Sequence, residues 1–288
     1  MSKSGYLDLS FFSQLARSNF LKVKSSFLRK ERDQNDKTKL ISFVTIIGII
    51  VVWWLIAEFK VVPPLFLPHP VSVIEKFILV STQEISGGNL LQHTVASLTR
   101  VLSAFAFACL LGIPIGLAMG ANKIARGVLD PPIEFYRPIP PLAYLPLIII
   151  WFGIGEFAKI ILIFLAIFAP ITMNARAGVA SVSPDRINAG YSLGGTRLQV
   201  FWHIIFPGAL PEIFTGMRIG IGFGWTTLVA AEMVAAASGL GHMVLDAANF
   251  LVTDVVVMGI IVIGLIAYVL DLLMRYLELI FVPWKGKT

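Results

Sequence analysis

Six stretches of this chain are predominantly apolar and long enough to cross a bilayer: residues 40–57, 94–119, 132–152, 157–178, 212–236 and 255–281. Crossing the hydrocarbon core takes about 20 such residues. In lipid no water is present to satisfy backbone N–H and C=O groups, so a spanning segment must bond to itself as a helix or close into a barrel. Runs of this length predict helices. Charged residues make up only 14 % of the chain, against about 25 % in soluble domains. The expected fold is all-α: a polytopic membrane protein with six transmembrane helices.

Orientation follows from the basic residues. With the N-terminus inside, the cytoplasmic segments are 1–39, 120–131, 174–218 and the end from Arg275, holding nine, two, four and three Lys or Arg. The outward loops hold Lys60, Lys76 and Lys159, while Arg100 and Arg137 fall within spans. Such an excess marks the cytoplasmic side, so both termini are expected to be cytoplasmic. It also accounts for the net charge of +6 without nucleic acid as a partner.

Residues 1–39 carry nine basic and four acidic side chains interleaved with Leu7, Phe11, Leu15, Phe20, Val23 and Phe27. They read as a basic amphipathic segment on the lipid of the inner leaflet, followed by a transmembrane domain over 40–288. The polar stretch ahead of the first span argues against a cleaved signal peptide. Cys109 is the one cysteine, so no intramolecular disulfide is available, and it reads as packing.

Between the fourth and fifth spans lies a polar segment, 183–207, with the punctuation of two short helices. Ser183 suits an N-cap and Pro184 the first helical position. Gly194 and Gly195 stop that helix, because glycine enters left-handed backbone space cheaply. Thr196 begins a second helix, with Gln199 completing a capping box, and Pro207 is expected to end it. Leu198, Phe201, Ile204 and Ile205 give this cytoplasmic hairpin an apolar face. It can dock against a partner or lie on lipid headgroups; the local pattern leaves both open.

Glycines at four-residue intervals, Gly112, Gly116 and Gly120, then Gly216, Gly220 and Gly224, suit close helix packing in lipid. Pro131, Pro132, Pro138, Pro140, Pro141 and Pro146 predict that the first half of the third span is broken or kinked. Irregular backbone at that depth belongs beside a cavity, and the candidate translocation pathway is drawn around it. Glu134, Tyr136 and Arg137 in the broken span, and Trp225 and Glu232 in the fifth, are the candidate lining residues, since ionisable groups in spans are costly in lipid. Glu134 and Arg137, one turn apart, suit either an internal ion pair or a pathway lining. Arg100, near the outer end of its span, reads as snorkelling to the interface.

No catalytic chemistry stands out. The closing Gly286-Lys287-Thr288 imitates a phosphate loop, but position 281 is Phe and no helix follows. Four scattered histidines and one cysteine offer no metal spacing. The chain is read as a transport subunit and not an enzyme, with no cofactor of its own. Uphill transport then draws on another subunit or on an ion gradient.

The hairpin carries a family resemblance. Asn188-Ala189-Gly190, three residues, Gly194, nine residues, then Ile204-Ile205-Phe206-Pro207 resembles the EAA loop of bacterial ABC-importer permeases, whose pattern is Glu-Ala-Ala, three residues, Gly, nine residues, Ile-x-Leu-Pro. Asn188 replaces Glu, Gly190 replaces Ala and Phe206 replaces Leu. The resemblance runs from about Trp53 to Trp284. Leu65-Phe-Leu-Pro68, Ser97-Leu-Thr-Arg100, the segment Glu134 to Pro146, Ile150-Trp-Phe-Gly-Ile-Gly-Glu156 and Gly224 to Glu232 are similar to the nitrate/sulfonate/taurine branch, most of all to its taurine permeases.

That resemblance implies the type I ABC-importer permease fold, a place in a bacterial inner membrane and a homodimer with the path between protomers. It also implies a periplasmic or lipid-anchored substrate-binding protein and separate ABC ATPase subunits that consume ATP and Mg. The loop would be the coupling helix received by the ATPase, through Asn188, Ala189, Gly190, Gly194, Gly195, Arg197, Ile204 and Pro207. Taurine or a related sulfonate is the implied solute, with alkanesulfonate, nitrate or bicarbonate as alternatives. Two other classes stay open. An ion-gradient-driven secondary transporter would show an inverted repeat, none of which is visible across the two halves, and would leave the hairpin unexplained. A structural or assembly membrane protein would leave the proline-broken, charged span unexplained.

Overall fold

The computed structural model describes residues 40–285. The amphipathic segment expected over 1–39 and the Gly286-Lys287-Thr288 end lie outside them. Every regular element among the described residues is helical. The chain divides into two compact units, one ending at Pro64 and one from Leu65. The first contributes α1, Leu40–Glu58, which is apolar on all sides and long enough to span.

The second unit runs α2 (Pro70–Thr82), α3 (Leu90–Ala121), α4 (Lys123–Tyr136), a 3-10 turn (Pro141–Tyr144), α5 (Leu145–Phe152) and α6 (Glu156–Ser181). It continues through α7 (Pro184–Ser192), α8 (Arg197–Val200), a π-helical turn (Phe201–Ile205), α9 (Phe206–Ala235), α10 (Leu240–Asn249) and α11 (Thr253–Phe281). Four further spans come from α3, α6, α8 through α9, and α11, and a fifth from α4 and α5 if that bent pair counts as one crossing. Together with α1 these match the six expected runs.

Helix α6 is the centre of this unit, packed along both α3 and α9. The two glycine stripes explain how. A Cβ on Gly116 would stand 2.3 Å from the Thr172 carbonyl oxygen, and one on Gly224 would stand 2.4 Å from Ile167 Cδ1. Both neighbours belong to α6, so each stripe holds a backbone against it more closely than any side chain permits. Leu117, Ala175, Val179, Ala209 and Ile213 fill the space where the three helices meet. Between lipid-bathed helices, where burial of hydrocarbon brings little net gain, such close approach supplies the dispersion energy of association.

The third span breaks, but not where proline is first met. Pro131 and Pro132 are carried inside α4, so the break expected in the first half falls at its later prolines. The break comes at 137–140, where the chain turns by 92° between α4 and the segment Pro141–Phe152. Across Arg137–Pro141 only two residues have a backbone N–H. Both are bonded, Arg137 to the Ile133 carbonyl (3.0 Å) and Ile139 to the Tyr136 carbonyl (3.0 Å). Proline breaks the helix here while leaving no orphan donor in the membrane.

Pro207 corrects a second expectation. It does not end the helix begun at Arg197; chain 197–235 continues as one helical run. The π turn at Phe201–Ile205 lies just ahead of Pro207, and the Phe206 N–H bonds to the Phe201 carbonyl. Widening the helix by one residue accommodates a ring that would collide with the preceding turn of a regular α-helix.

Candidate functional site

The hairpin is built largely as its residues dictate. Ser183 stands at the N-cap of α7 but its hydroxyl makes no capping bond; the Arg186 N–H reaches its carbonyl instead (3.1 Å). Gly194 adopts φ +81° with open space around it, so left-handed backbone geometry, not crowding, demands glycine. Thr196 and Gln199 form the reciprocal capping box, the Gln199 amide oxygen accepting from the Thr196 N–H at 2.9 Å.

Gly190, which departs from the EAA pattern, has its own reason: a Cβ there would meet Ile204 Cδ1 at 2.4 Å. The Gly195 N–H bonds to the Gly190 carbonyl at 3.1 Å, closing the turn on itself. The apolar residues divide into two sets. Phe201 and Ile205 pack against the core, whereas Leu193, Leu198 and Trp202 are exposed, Leu193 by 89 %. Asn188, Ala189 and Arg197 are also exposed. A shallow cleft of about 410 Å³ runs between α7 and the α8 turn, lined by Gly190, Leu193, Gln199, His203 and Ile204.

The five candidate pathway residues lie in four places. Tyr136 and Arg137 line a cavity of about 400 Å³ bounded by the broken span, by Asn174 of α6 and by Phe223 of α9. Glu134 does not pair with Arg137: its carboxylate is 3.9 Å from Arg176, which also binds Asp130. Trp225 is buried beside a separate cavity of about 250 Å³ between α9 and α11, near the Arg218–Asp271 pair.

Glu232 sits elsewhere, completely buried, and Arg100 is its partner. The Arg100 guanidinium donates from Nη1 to Glu232 Oε1 at 2.6 Å and from Nε and Nη2 to Glu156 at 2.5 and 2.9 Å. It also reaches the Ser238 carbonyl (2.7 Å) and hydroxyl (3.1 Å), which uses all five of its N–H groups. The expectation that Arg100 snorkels to the interface is therefore overturned: with opposite charge within reach inside the bundle, pairing there is the better solution. Glu232 also accepts from the Ser97 hydroxyl (2.8 Å) and the Gly241 N–H (2.9 Å), and Lys159 binds Glu156 at 2.7 Å.

His93 completes this cluster. Its Nδ1 accepts from the Gly239 N–H (3.0 Å) and its Nε2 faces the Ile85 carbonyl (3.0 Å), which together require the Nε2–H tautomer. Gly239 has φ +122°, and a Cβ there would lie 2.3 Å from the Glu232 carboxyl carbon. Two arginines or lysines thus face two carboxylates, and α3, the start of α6 and the α9–α10 turn are tied together. From sequence, Glu232 stands as a candidate lining residue, not grouped with Arg100, Ser97, Glu156, Lys159 or Ser238. The available signal was the pair of opposite charges, Arg100 and Glu232, each too costly to stand alone in lipid.

Comparison with known proteins meets this geometry. Residues 112–279 match the family described as "Binding-protein-dependent transport system inner membrane component". The chain is 54 % identical over 249 residues to the taurine transport system permease protein of Escherichia coli strain K12, covering 86 % of this chain and 90 % of that one. It is 36 % identical over 239 residues to the same organism's putative aliphatic sulfonates transport permease protein, covering 83 % and 89 %. An amino acid ABC transporter of known crystal structure superposes with a TM-score of 0.57 at 22 % identity, over 74 % of this chain and 97 % of that one, which shows the shared permease fold. From its spans, its hairpin and these likenesses together, the chain belongs to the family of binding-protein-dependent transport system inner membrane components, as a multi-pass permease subunit.

Proposed function

We propose that this permease carries taurine or a closely related sulfonate inward, as one of two copies whose interface forms the path. A substrate-binding protein delivers the solute, and separate ATPase subunits, consuming ATP and Mg, receive the hairpin. Both termini face the cytoplasm in this reading, supported by the basic residues of the inward segments. The observation that carries the coupling role is the hairpin itself. It presents Leu193, Leu198 and Trp202 to the outside on a turn closed by the Thr196–Gln199 capping box, and its second half is continuous with α9. A push on the hairpin is transmitted along that helix to the bundle, as switching between two arrangements of rigid elements requires.

The choice of solute rests on the 54 % identity to a protein named for taurine transport. Proteoliposomes containing the permease, its ATPase and its binding protein should accumulate labelled taurine only with ATP inside the vesicle compartment that holds the ATPase. Unlabelled ethanesulfonate should compete more strongly than nitrate. ATP-driven uptake of nitrate with no uptake of taurine would overturn the substrate, and uptake that ignores ATP would overturn the coupling.

A further inference from the structure

We infer that the cavity beside the broken span is a binding site for a small sulfonate, with Arg137 as its counter-charge and the Tyr136 hydroxyl as its second donor. The inference deepens the transport reading and rests on it for the solute's identity. At about 400 Å³ the cavity falls within the range of small-molecule sites, roughly 300–1,000 Å³. Its walls come from three separate elements, with Tyr136, Arg137 and Tyr144 on the broken span, Asn174 on α6 and Phe223 on α9.

Two polar groups on this wall have no hydrogen-bond partner or counter-charge among the described residues. Neither a carboxylate nor any other acceptor bonds the Arg137 guanidinium among the described residues, and Glu134 and Asp130, the acidic residues of the same helix, both turn to Arg176. Arg100, by contrast, has every donor occupied. The neighbouring Tyr136 hydroxyl is buried with no hydrogen-bond partner. Buried polar atoms are nearly always satisfied, so an orphan calls for an explanation. The exposed Arg137 side chain stands beside that orphan hydroxyl on one cavity wall, and an anionic acceptor in the space would satisfy the hydroxyl and neutralise the guanidinium together.

A sulfonate fits the chemistry. Its three oxygens take the planar fork of an arginine in two parallel bonds and leave one for the tyrosine. Asn174 adds a complementary feature. Its Nδ2 donates to the Pro170 carbonyl at 2.8 Å, and its oxygen, an acceptor, is left for an ammonium. Gly216 packs so closely on the Asn174 side chain that an added Cβ would stand 2.6 Å from it, which holds that amide in place. Anion donors at one point and an amide acceptor across the cavity match a short zwitterion with sulfonate and ammonium ends. A phospholipid phosphate shares the anionic half of this chemistry, and the test separates the two.

The test uses the complete importer in phosphatidylcholine membranes, with and without phosphatidylglycerol, and the permease–ATPase complex alone for equilibrium binding of labelled taurine, ethanesulfonate and nitrate. Arg137→Gln should lower uptake at sub-saturating taurine, and taurine binding, by about 10- to 100-fold, the worth of one charge-assisted contact. Arg137→Lys should fall between, since a point charge replaces a fork, and it serves if the glutamine variant fails to assemble. Tyr136→Phe should weaken taurine binding about fivefold, in line with one hydrogen bond. Lys123→Gln, which removes a cation from the same helix outside the cavity, should stay within about twofold. Normal binding in Arg137→Gln, or no binding of any of the three anions by the native complex, overturns the site. Competition by phosphatidylglycerol assigns it to lipid and overturns the solute. Retained Arg137-dependent binding of another anion, without taurine transport, overturns the substrate reading alone.

Discussion

The buried Arg100–Glu232 contact predicts an asymmetry between two substitutions that remove opposite ends of one ion pair. Glu232 is fully buried. In Arg100→Met it would keep only the Ser97 hydroxyl and the Gly241 N–H as donors, two neutral dipoles for a full charge. Leaving a buried charge without its partner costs about 3–5 kcal/mol. Glu232→Gln is milder, because Arg100 would retain both oxygens of Glu156 and both contacts to Ser238. That loss amounts to one charged hydrogen bond, about 1.5–3 kcal/mol. Glu156 has its side chain 59 % exposed, so water screens its share and the burden in Arg100→Met falls mainly on Glu232.

The double substitution removes the stranded charge and should cost less than the sum of the singles by more than about 0.5 kcal/mol, the scatter expected of independent sites. Unfolding of the purified permease in mixed micelles, titrated with dodecyl sulfate and followed by circular dichroism, gives all three free energies. If Arg100→Met proved no more costly than Glu232→Gln, or if the two losses simply added, the cluster would not be the electrostatic tie described above.

Three further outcomes follow from the structure. Gly194→Val should leave the spans folded yet uncouple ATP hydrolysis from uptake, because a β-branched residue resists φ +81°; normal uptake with normal ATPase copurification would refute this. Gly116→Leu should destabilise the bundle by about 3 kcal/mol, the upper end for overpacking, because even the first carbon meets the Thr172 carbonyl at 2.3 Å, whereas the same change at Gly264, which has open space around it, should be nearly neutral in the same titration. The purified permease alone should neither bind nor hydrolyse ATP; nucleotide turnover that persists after removal of contaminating ATPase would contradict the division of labour between subunits.

How much of this was readable in advance depends on the range over which each feature is decided. The six apolar runs, the capping box of Thr196 and Gln199 and the stop at Gly194 are local. Each depends on residues within a turn or two, and lipid removes the alternatives by giving the backbone no acceptor except its own carbonyls. The glycine stripes were equally legible, since spacing by four places them on one helix face whichever helix they meet. The chain could also announce a break in the third span, though not that Pro131 and Pro132 would stay helical while 137–140 turned.

Partners were a different matter, and only the tertiary structure decided them. Arg100 and Glu232 are 132 residues apart, and their 2.6 Å contact exists because α3 and the end of α9 meet beside the start of α6. Glu134 is one turn from Arg137 in the chain, yet it faces Arg176 on another helix, which leaves Arg137 to the cavity. The continuation through Pro207 likewise relies on Phe201, Ile205 and Phe206 packing into the core, which holds the π turn in place. Hydropathy and backbone hydrogen bonding act along the chain and can be read from it. Ion pairing acts over about 3 Å in space, and which side chains come that close is settled by helix packing alone.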